Sequence, residues 1–201
     1  MAEITGGRAL RDAGREVEGA FFDSRRPRAG GLFVPIVAAR DGHDFIPQAV
    51  AGGAAAILQV RGRALPAGDT SVIEVEDTLA AFTALARDVR DRFTGPVIAI
   101  TGSNGKTTTR GMIAAALACE GGFQRVLCTQ GNFNNNIGVP MTLTNGPDEP
   151  DAMVIELGMN APGEVDALAS VVRPTGAVIT SVAVEHLEFM GSIEAIAAAE
   201  A

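Results

Sequence analysis

The sequence predicts an α/β protein with two domains: a small amino-terminal α/β domain over residues 1–94 and a P-loop-type parallel-sheet domain over residues 95–201. Strand patterns alternate with helical patterns along the 201 residues. A Thr94-Gly95-Pro96 break stops a helical pattern directly before a buried strand pattern. That strand leads into a glycine-rich turn that ends in Gly-Lys-Thr, which is typical of phosphate-binding loops.

Composition narrows the class of protein. The net charge of −8 disfavours sequence-independent binding of nucleic acid, and the absence of Tyr and Trp removes the usual base-stacking side chains. The chain has neither an apolar run long enough to cross a bilayer nor a signal-peptide layout, so we expect a cytoplasmic protein without membrane insertion. Cys119 and Cys128 lack CxxC spacing, so neither a disulfide framework nor a zinc site is indicated.

The first domain is predicted to be a compact α/β unit. Short strands are expected in VEGAFFDSR, LFVPIV and AAAILQV, and a helix in DFIPQAVAGG, all between residues 17 and 60. A helical stripe of apolar residues follows over residues 77–92, where Asp77 or Thr78 can serve as the N-cap. This helix should end at the Thr94-Gly95-Pro96 break, which we take as the domain boundary.

The segment VIAITGSNGKTTT, residues 97–109, predicts a buried strand, a phosphate-binding turn and a helix start. Gly102 and Gly105 allow backbone N–H groups to converge on an anion, and the helix start adds the positive end of its dipole. Lys106 supplies a full positive charge, and Thr107 offers a hydroxyl to Mg²⁺. The candidate nucleotide-binding residues are Gly102, Ser103, Asn104, Gly105, Lys106, Thr107 and Thr108.

Beyond the turn, the alternation predicts a parallel sheet. Strands are expected in RVLCTQ, AMVIELG and GAVITSV, with helices over residues 106–120 and 163–171 and a helix start at Ser192. Parallel strands carry ligands at their carboxyl ends, where Lys106 with Thr107, Glu156 and His186 all fall. Residues 132–138, NFNNNIG, are interpreted as an Asn-rich loop.

Two of these groups have plain structural alternatives. Glu156 could be a solvated strand end, but a carboxylate behind four apolar residues is costly to bury unless it is paired or bound to a metal, which favours Mg²⁺. A lone histidine such as His186 is more often a hydrogen-bonded structural residue than a ligand.

The general phosphate-loop pattern GxxxxGK[ST] requires a glycine at the position of Ile100, so the match of this chain to that pattern is imperfect.

Four motifs, in this order and spacing, resemble the Mur ligases: TGSNGKTT, GNFNNNIGVPMTLT, VIELGMNAPGE and EHLEFMGSIEAIA. The segment that begins DSRRPRAGG and ends AAAILQV is similar to the UDP-substrate domain of that family. The resemblance extends from about residue 22 to residue 201. It also accounts for the shifted glycine, because the family uses TG[ST]NGKT.

The resemblance implies an ATP-dependent amide-forming ligase of peptidoglycan precursor synthesis. In the family, ATP phosphorylates the terminal carboxylate of a UDP-linked peptide, and an amine attacks the resulting acyl phosphate. The implied catalytic residues are Lys106, on the phosphates, and His186, which would help place a second Mg²⁺. Thr107 and Glu156 would hold the first Mg²⁺. The implied substrate contacts are Ser24, Arg25, Asn135 and Asn136.

Two short sequence motifs favour one branch of the family. NNNIGVP and Glu-Leu-Gly-Met-Asn favour the members that add D-alanyl-D-alanine to UDP-N-acetylmuramoyl-tripeptide. The members that add the third stem-peptide residue should instead show a TTP-type segment and a Glu-Val-Ser-Ser strand end. A non-catalytic module that binds a nucleotide or a UDP-sugar remains an alternative. A small P-loop kinase or GTPase would leave the DSR segment unexplained.

Two features depart from the family pattern. Glu200 stands where the family has a lysine that becomes carbamylated and holds the second Mg²⁺, which leaves a partial substitute, a disabled site or a sequence error open. The sequence ends at Ala201, where family members continue through further strands and a carboxy-terminal domain. We therefore expect the 201-residue chain by itself to be poorly soluble and to show no ligase turnover.

Overall fold

A computed structural model describes residues 1–119, 122–183 and 192–200, and the chain forms two compact units, Met1–Asp88 and Val89–Ala201. The helix that begins at Thr78 starts in the first unit and ends in the second. The boundary predicted after Thr94 lies inside the second unit. The last turn of the helix belongs there because Arg90 donates hydrogen bonds to the carbonyl oxygens of Val172 and Arg173.

Nine strands and seven helical segments are described. The strands are β1 (Arg8–Arg11), β2 (Ala20–Phe21), β3 (Leu32–Phe33), β4 (Ala56–Val60), β5 (Ser71–Val75), β6 (Val97–Thr101), β7 (Val126–Cys128), β8 (Ala152–Glu156) and β9 (Gly176–Ile179). The helices are a 3₁₀ helix (Gly42–Phe45), α1 (Ile46–Ala51), α2 (Thr78–Arg92), α3 (Lys106–Cys119), α4 (Gly138–Thr144), α5 (Glu164–Val172) and α6 (Ile193–Glu200).

The first unit is built on a sheet of order β1-β5-β4-β3-β2, in which only β1 runs antiparallel to its neighbour. Its core includes Phe21 and Phe33, whose ring centroids lie 5.2 Å apart, together with Ile57 and Val72. The predicted strands before residue 60 and helix α1 are confirmed. Strands β1 and β5 were not predicted, because their charged residues, such as Arg8 and Glu74, hide the strand pattern and pair across the sheet.

The second unit contains a fully parallel sheet of order β7-β8-β6-β9, as the alternation of strands and helices predicts. Helix α3 packs on β7, β8 and β6, and α5 packs on β6 and α6. The central strands pair in a register that sets Ile100 beside Glu156. Both strands therefore end at the same edge of the sheet, next to the glycine turn.

Helix α4 was not predicted; it directly follows the predicted Asn-rich loop, residues 132–138, and overlaps only the last residue of that loop. Residues 138–143 are all buried. The sequence GVPMTLT is a poor helix by intrinsic propensity, so burial of these side chains overrides the local preference. Gly138 is required there, since a Cβ on it would lie 2.3 Å from backbone atoms of Phe133.

Three further features of the sequence can be compared with the structure: the N-cap of α2, the length of the helices and the state of the cysteines. Asp77 is confirmed as the N-cap of α2, because its side chain accepts a hydrogen bond of 2.8 Å from the backbone N–H of Ala80. In the part of the chain that the structure describes, no helix has the length and apolar character needed to span a bilayer. Both cysteines are free thiols; Cys119 is exposed and Cys128 is partly buried, so the default expectation that both thiols are buried is wrong.

Candidate phosphate-binding site

The turn after β6 adopts a conformation that requires glycine at two positions. Gly102 has φ +116° and Gly105 has φ +89°, values that residues with a Cβ rarely adopt. A Cβ on Gly102 would also lie 2.4 Å from Oγ1 of Thr180. The glycines that indicated a phosphate-binding turn are thus needed for the path of the backbone.

The end of β9 holds this turn in place. The N–H of Ser103 donates to the carbonyl oxygen of Ser181 at 2.9 Å, and the N–H of Asn104 donates to Oγ of Ser181 at 3.0 Å. Thr180 Oγ1 donates to the carbonyl oxygen of Thr101 at 3.0 Å. Strand β9 therefore stops at Ile179, short of the predicted GAVITSV, and the amides of Ser103 and Asn104 are already engaged.

The start of α3 leaves donors free for an anion. Within the described residues, the backbone N–H groups of Gly105, Lys106, Thr107 and Thr108 have no hydrogen-bond partner, as is usual in the first turn of a helix. The ammonium of Lys106 donates to the carbonyl oxygen of Gly102 and lies 3.4 Å from that of Ser103. A positive charge and several unpaired N–H groups thus share one turn, which suits a phosphate group.

Glu156 ends β8 beside this turn. The residue is only 1% exposed, and its Oε2 lies 3.4 Å from Oγ1 of Thr107, within hydrogen-bond reach. Its backbone N–H donates to Oγ1 of Thr129 at 2.9 Å. The structure therefore brings together Lys106, Thr107 and Glu156, which the sequence placed at the ends of two separate strands.

Arg110 and Thr129 complete this cluster and were not predicted from the sequence. Arg110 Nη1 lies 2.9 Å from Glu156 Oε1, while it donates its hydrogen bond to the carbonyl oxygen of Thr129. Arg110 stands four residues after Lys106 and three after Thr107, so all three share one face of α3. That spacing is a signal from which Arg110 could have been found. Burial raises the pKa of the neighbouring Cys128 thiol, and Arg110 opposes the shift.

The residues present fit Mg²⁺. Glu156 Oε1 is buried yet receives no hydrogen bond from the described residues; its contact with Arg110 is electrostatic without hydrogen-bond geometry. A hydroxyl and a carboxylate are hard oxygen ligands, and Mg²⁺ commonly takes one or two such groups together with phosphate oxygens and water. Among the described residues, no group of three His, Cys, Asp or Glu side chains could enclose a metal. His186 lies outside the described residues.

Glu200 reaches the same turn from α6. It is 3% exposed, and its Oε2 accepts a hydrogen bond of 2.7 Å from the N–H of Gly102 and another from the hydroxyl of Thr101. This oxygen is therefore used to hold the backbone where β6 becomes the turn.

The residues implied as substrate contacts in the first unit have local partners. Ser24 is 6% exposed, and its hydroxyl donates to Oε1 of Gln48 at 2.8 Å. The side chain of Arg25 is 81% exposed and makes two contacts of 2.9 Å with the carboxylate of Asp23. Hydrogen bonds from Arg25 lower the pKa of Asp23 to about 2. The guanidinium of Arg25 is thus held by a carboxylate that an anionic ligand would have to replace.

The two implied asparagines lie before α4. Asn135 Oδ1 accepts hydrogen bonds from the N–H groups of Ile137, at 3.2 Å, and Gly138, at 2.8 Å. This oxygen therefore shapes the entry to the helix, in the manner of an Asx turn. Asn136 is exposed.

A parallel sheet whose central strand leads through a glycine turn to a lysine at a helix start defines an α/β protein with a phosphate-binding loop. Residues 100–201 match the family model of the Mur ligase middle domain. The chain therefore belongs to the Mur ligase family.

The sequences of named relatives align with most of this chain. It is 42% identical to a UDP-N-acetylmuramoyl-tripeptide--D-alanyl-D-alanine ligase of Bacillus subtilis, over 92% of this chain and 40% of that protein. It is also 42% identical to the ligase of the same name from Escherichia coli, over 95% of this chain and 41% of that protein. The chain thus spans about 40% of the length of these relatives.

Solved structures agree with the fold. A crystal structure of MurF from Acinetobacter baumannii superposes with a TM-score of 0.86 at 33% identity, covering 98% of this chain and 43% of the other. MurF ligase from Thermotoga maritima, solved in complex with ADP, gives a TM-score of 0.79 at 31% identity, covering 95% of this chain and 43% of the other.

Proposed function

We propose that this chain carries the nucleotide-binding and UDP-substrate parts of a cytoplasmic ligase that joins D-alanyl-D-alanine to UDP-N-acetylmuramoyl-tripeptide. The two relatives at 42% identity bear the name of that activity. The observation that carries the proposal is the meeting of Lys106, Thr107 and Glu156 at the carboxyl edge of the parallel sheet. That arrangement suits the transfer of a phosphoryl group between two anions.

ATP is the proposed nucleotide. Lys106 and the free N–H groups at the start of α3 would bind its terminal phosphates, with Lys106 turning from the carbonyls of Gly102 and Ser103 towards the ligand. The relative from Thermotoga maritima was solved in complex with ADP, which supports nucleotide binding by this chain. We assign the binding to residues 102–108.

Mg²⁺ is the proposed metal, held by the hydroxyl of Thr107 and the carboxylate of Glu156. When bound, it would screen the charge of the phosphates and so let the substrate carboxylate approach. Arg110 contacts Oε1 of Glu156, and Oγ1 of Thr129 accepts a hydrogen bond from the backbone N–H of Glu156. We also propose that His186 helps to place a second Mg²⁺ near the acyl phosphate, as the resemblance to the family implies.

The first unit is the proposed UDP-substrate domain, within residues 1–94. Arg25 could exchange its two contacts with Asp23 for contacts with a diphosphate, since a guanidinium binds both groups through paired hydrogen bonds. Ser24 would contribute through the backbone around it, because its hydroxyl is bonded to Gln48. Asn135 and Asn136 are proposed to contact substrate or phosphate through their remaining amide groups.

Calorimetric titration of the 201-residue chain with ATP and MgCl₂ tests the nucleotide site. Lys106→Ala should weaken ATP binding at least about tenfold, because it removes a charge-assisted contact to phosphate. Arg61→Ala is a matched control. It also removes one positive charge, but Arg61 pairs with Glu76 at the surface of the first unit. UDP-N-acetylmuramoyl-tripeptide should bind both variants equally. Equal ATP heats for Lys106→Ala and the unchanged chain would contradict the proposal.

A further inference from the structure

Arg110 lies beside Oε1 of Glu156, the carboxylate oxygen that accepts no hydrogen bond from the residues that the structure describes. Glu156 is almost fully buried, and its Oε1 lies 2.9 Å from Arg110 Nη1. A buried carboxylate without a nearby positive charge is strongly destabilising. The guanidinium therefore serves as the counter-charge of Glu156 within the part of the chain that the structure describes.

The same guanidinium makes no hydrogen bond to Oε1 of Glu156. Its Nη1 directs a hydrogen bond to the carbonyl oxygen of Thr129, while the contact with Oε1 lacks hydrogen-bond geometry. Side-chain exposure of Arg110 is 18%, against 2% for Glu156. Moving Arg110 away from Oε1 would therefore break no hydrogen bond to Glu156, whose carboxylate is the more deeply buried of the two groups.

We propose that Arg110 is a positioning residue that neutralises Glu156 before a metal binds and so sets the affinity of the Thr107–Glu156 pair for Mg²⁺. A divalent cation at these oxygens and a guanidinium on Oε1 repel each other, so the ion must displace Arg110 or bind against its charge. The arrangement keeps the site folded without metal and weakens metal binding in the absence of phosphate, whose negative charge favours the ion. This inference rests on the proposed function of the site.

The test is a titration of the nucleotide-free 201-residue chain with MgCl₂, followed by calorimetry and thermal unfolding. Arg110→Gln removes the charge and leaves a shorter, neutral polar side chain. It should lower the melting temperature in EDTA, show a larger rise on addition of MgCl₂ than the unchanged chain, and bind Mg²⁺ about tenfold more tightly. Arg110→Lys keeps the charge, so its Mg²⁺ affinity should stay within about threefold of the unchanged chain. Arg61→Gln serves as the charge-matched control and should leave the Mg²⁺ response unchanged.

The outcomes separate the possible errors. If Arg110→Gln lowers the melting temperature equally in EDTA and in MgCl₂, with unchanged Mg²⁺ affinity, Arg110 is only a structural residue and the inference is wrong. If Arg110→Gln does not fold in either condition, Arg110→Lys decides, because a tenfold change in Mg²⁺ affinity with the charge kept would also overturn the inference. A failure of the unchanged chain to bind ATP at saturating MgCl₂ contradicts the proposed function instead.

Discussion

Glu200 has a structural role, as a hydrogen-bond acceptor for the backbone at the glycine turn, that its position in the sequence does not predict. By resemblance it occupies the place of a metal-binding lysine, yet its Oε2 accepts hydrogen bonds from Gly102 and Thr101. The carboxylate is buried. An oxygen that already accepts two hydrogen bonds from the turn stabilises the shape of that turn, and this support is independent of any metal.

We expect Glu200→Ala to weaken ATP binding about tenfold, because the N–H of Gly102 and the hydroxyl of Thr101 lose their acceptor. Glu200→Gln retains an acceptor oxygen of the same reach, so its ATP affinity should remain within about threefold of the unchanged chain. Calorimetry with ATP and MgCl₂ measures both. A Glu200→Gln variant as damaged as Glu200→Ala would show that the negative charge, and not the hydrogen bonds, is what matters.

At the scale of single elements, the 3₁₀ helix of the first unit depends on Asp41. Asp41 Oδ1 accepts a hydrogen bond from the N–H of His43 at 3.0 Å and lies 2.6 Å from Nδ1 of the same residue. Because His43 Nε2 accepts from the N–H of Val60 at 3.2 Å, the hydrogen-bond network assigns the proton of the neutral ring to Nδ1. The His43 hydrogen bonds lower the pKa of Asp41 to about 2. The element thus links to β4 through one buried histidine.

Asp41→Asn keeps the acceptor but removes the charge, so it should lower the free energy of unfolding by about 1 kcal/mol at pH 6. The folded pKa of Asp41 is below its ordinary value of 3.8, so ionised Asp41 stabilises the fold above about pH 4, and this contribution is lost as the pH falls through about 2. The difference between the two proteins should therefore shrink between pH 4 and pH 2. Urea unfolding at several pH values measures it, and a difference independent of pH would refute the role of the charge.

Elements were predicted unevenly, and for physical reasons. Strands β6 and β8 are apolar runs, so pattern alone found them, and the hydrogen-bonding side chain of Asp77 correctly marked the start of α2. Helix α4 was missed because burial, not propensity, makes it helical. Strand β9 was predicted too long because Thr180 and Ser181 bond to the glycine turn instead of continuing the strand.

At the scale of the whole molecule, α2 belongs to both compact units, and Arg90 anchors its end within the second. Arg90 is 7% exposed and donates hydrogen bonds to the carbonyl oxygens of Val172, Phe93 and Arg173. Burial lowers the pKa of its guanidinium. Three carbonyl oxygens thus receive hydrogen bonds from one side chain.

Arg90→Ala should destabilise the second unit by about 3 kcal/mol, because it leaves these carbonyl oxygens without their charged donor. Arg90→Lys should recover only part of this loss, since a single ammonium cannot reach all three acceptors in the geometry of a guanidinium. Hydrogen exchange followed by mass spectrometry should show faster exchange in α5 and β9, and unchanged exchange in β4 and β5. Equal acceleration in both units would contradict the assignment of Arg90 to the second.

The sequence by itself determined the α/β class, the parallel sheet of the second unit and the glycine turn before α3, because apolar periodicity, glycine and a Gly-Lys-Thr end act through local geometry. Only the tertiary structure decided the strand order, the helix α4 and the surroundings of Glu156. Arg110, Thr129 and Glu200 reach the site from three separate segments. Contacts of this kind depend on how the elements pack. Of the three residues, only Arg110 has a local signal, its spacing from Lys106 and Thr107 along α3.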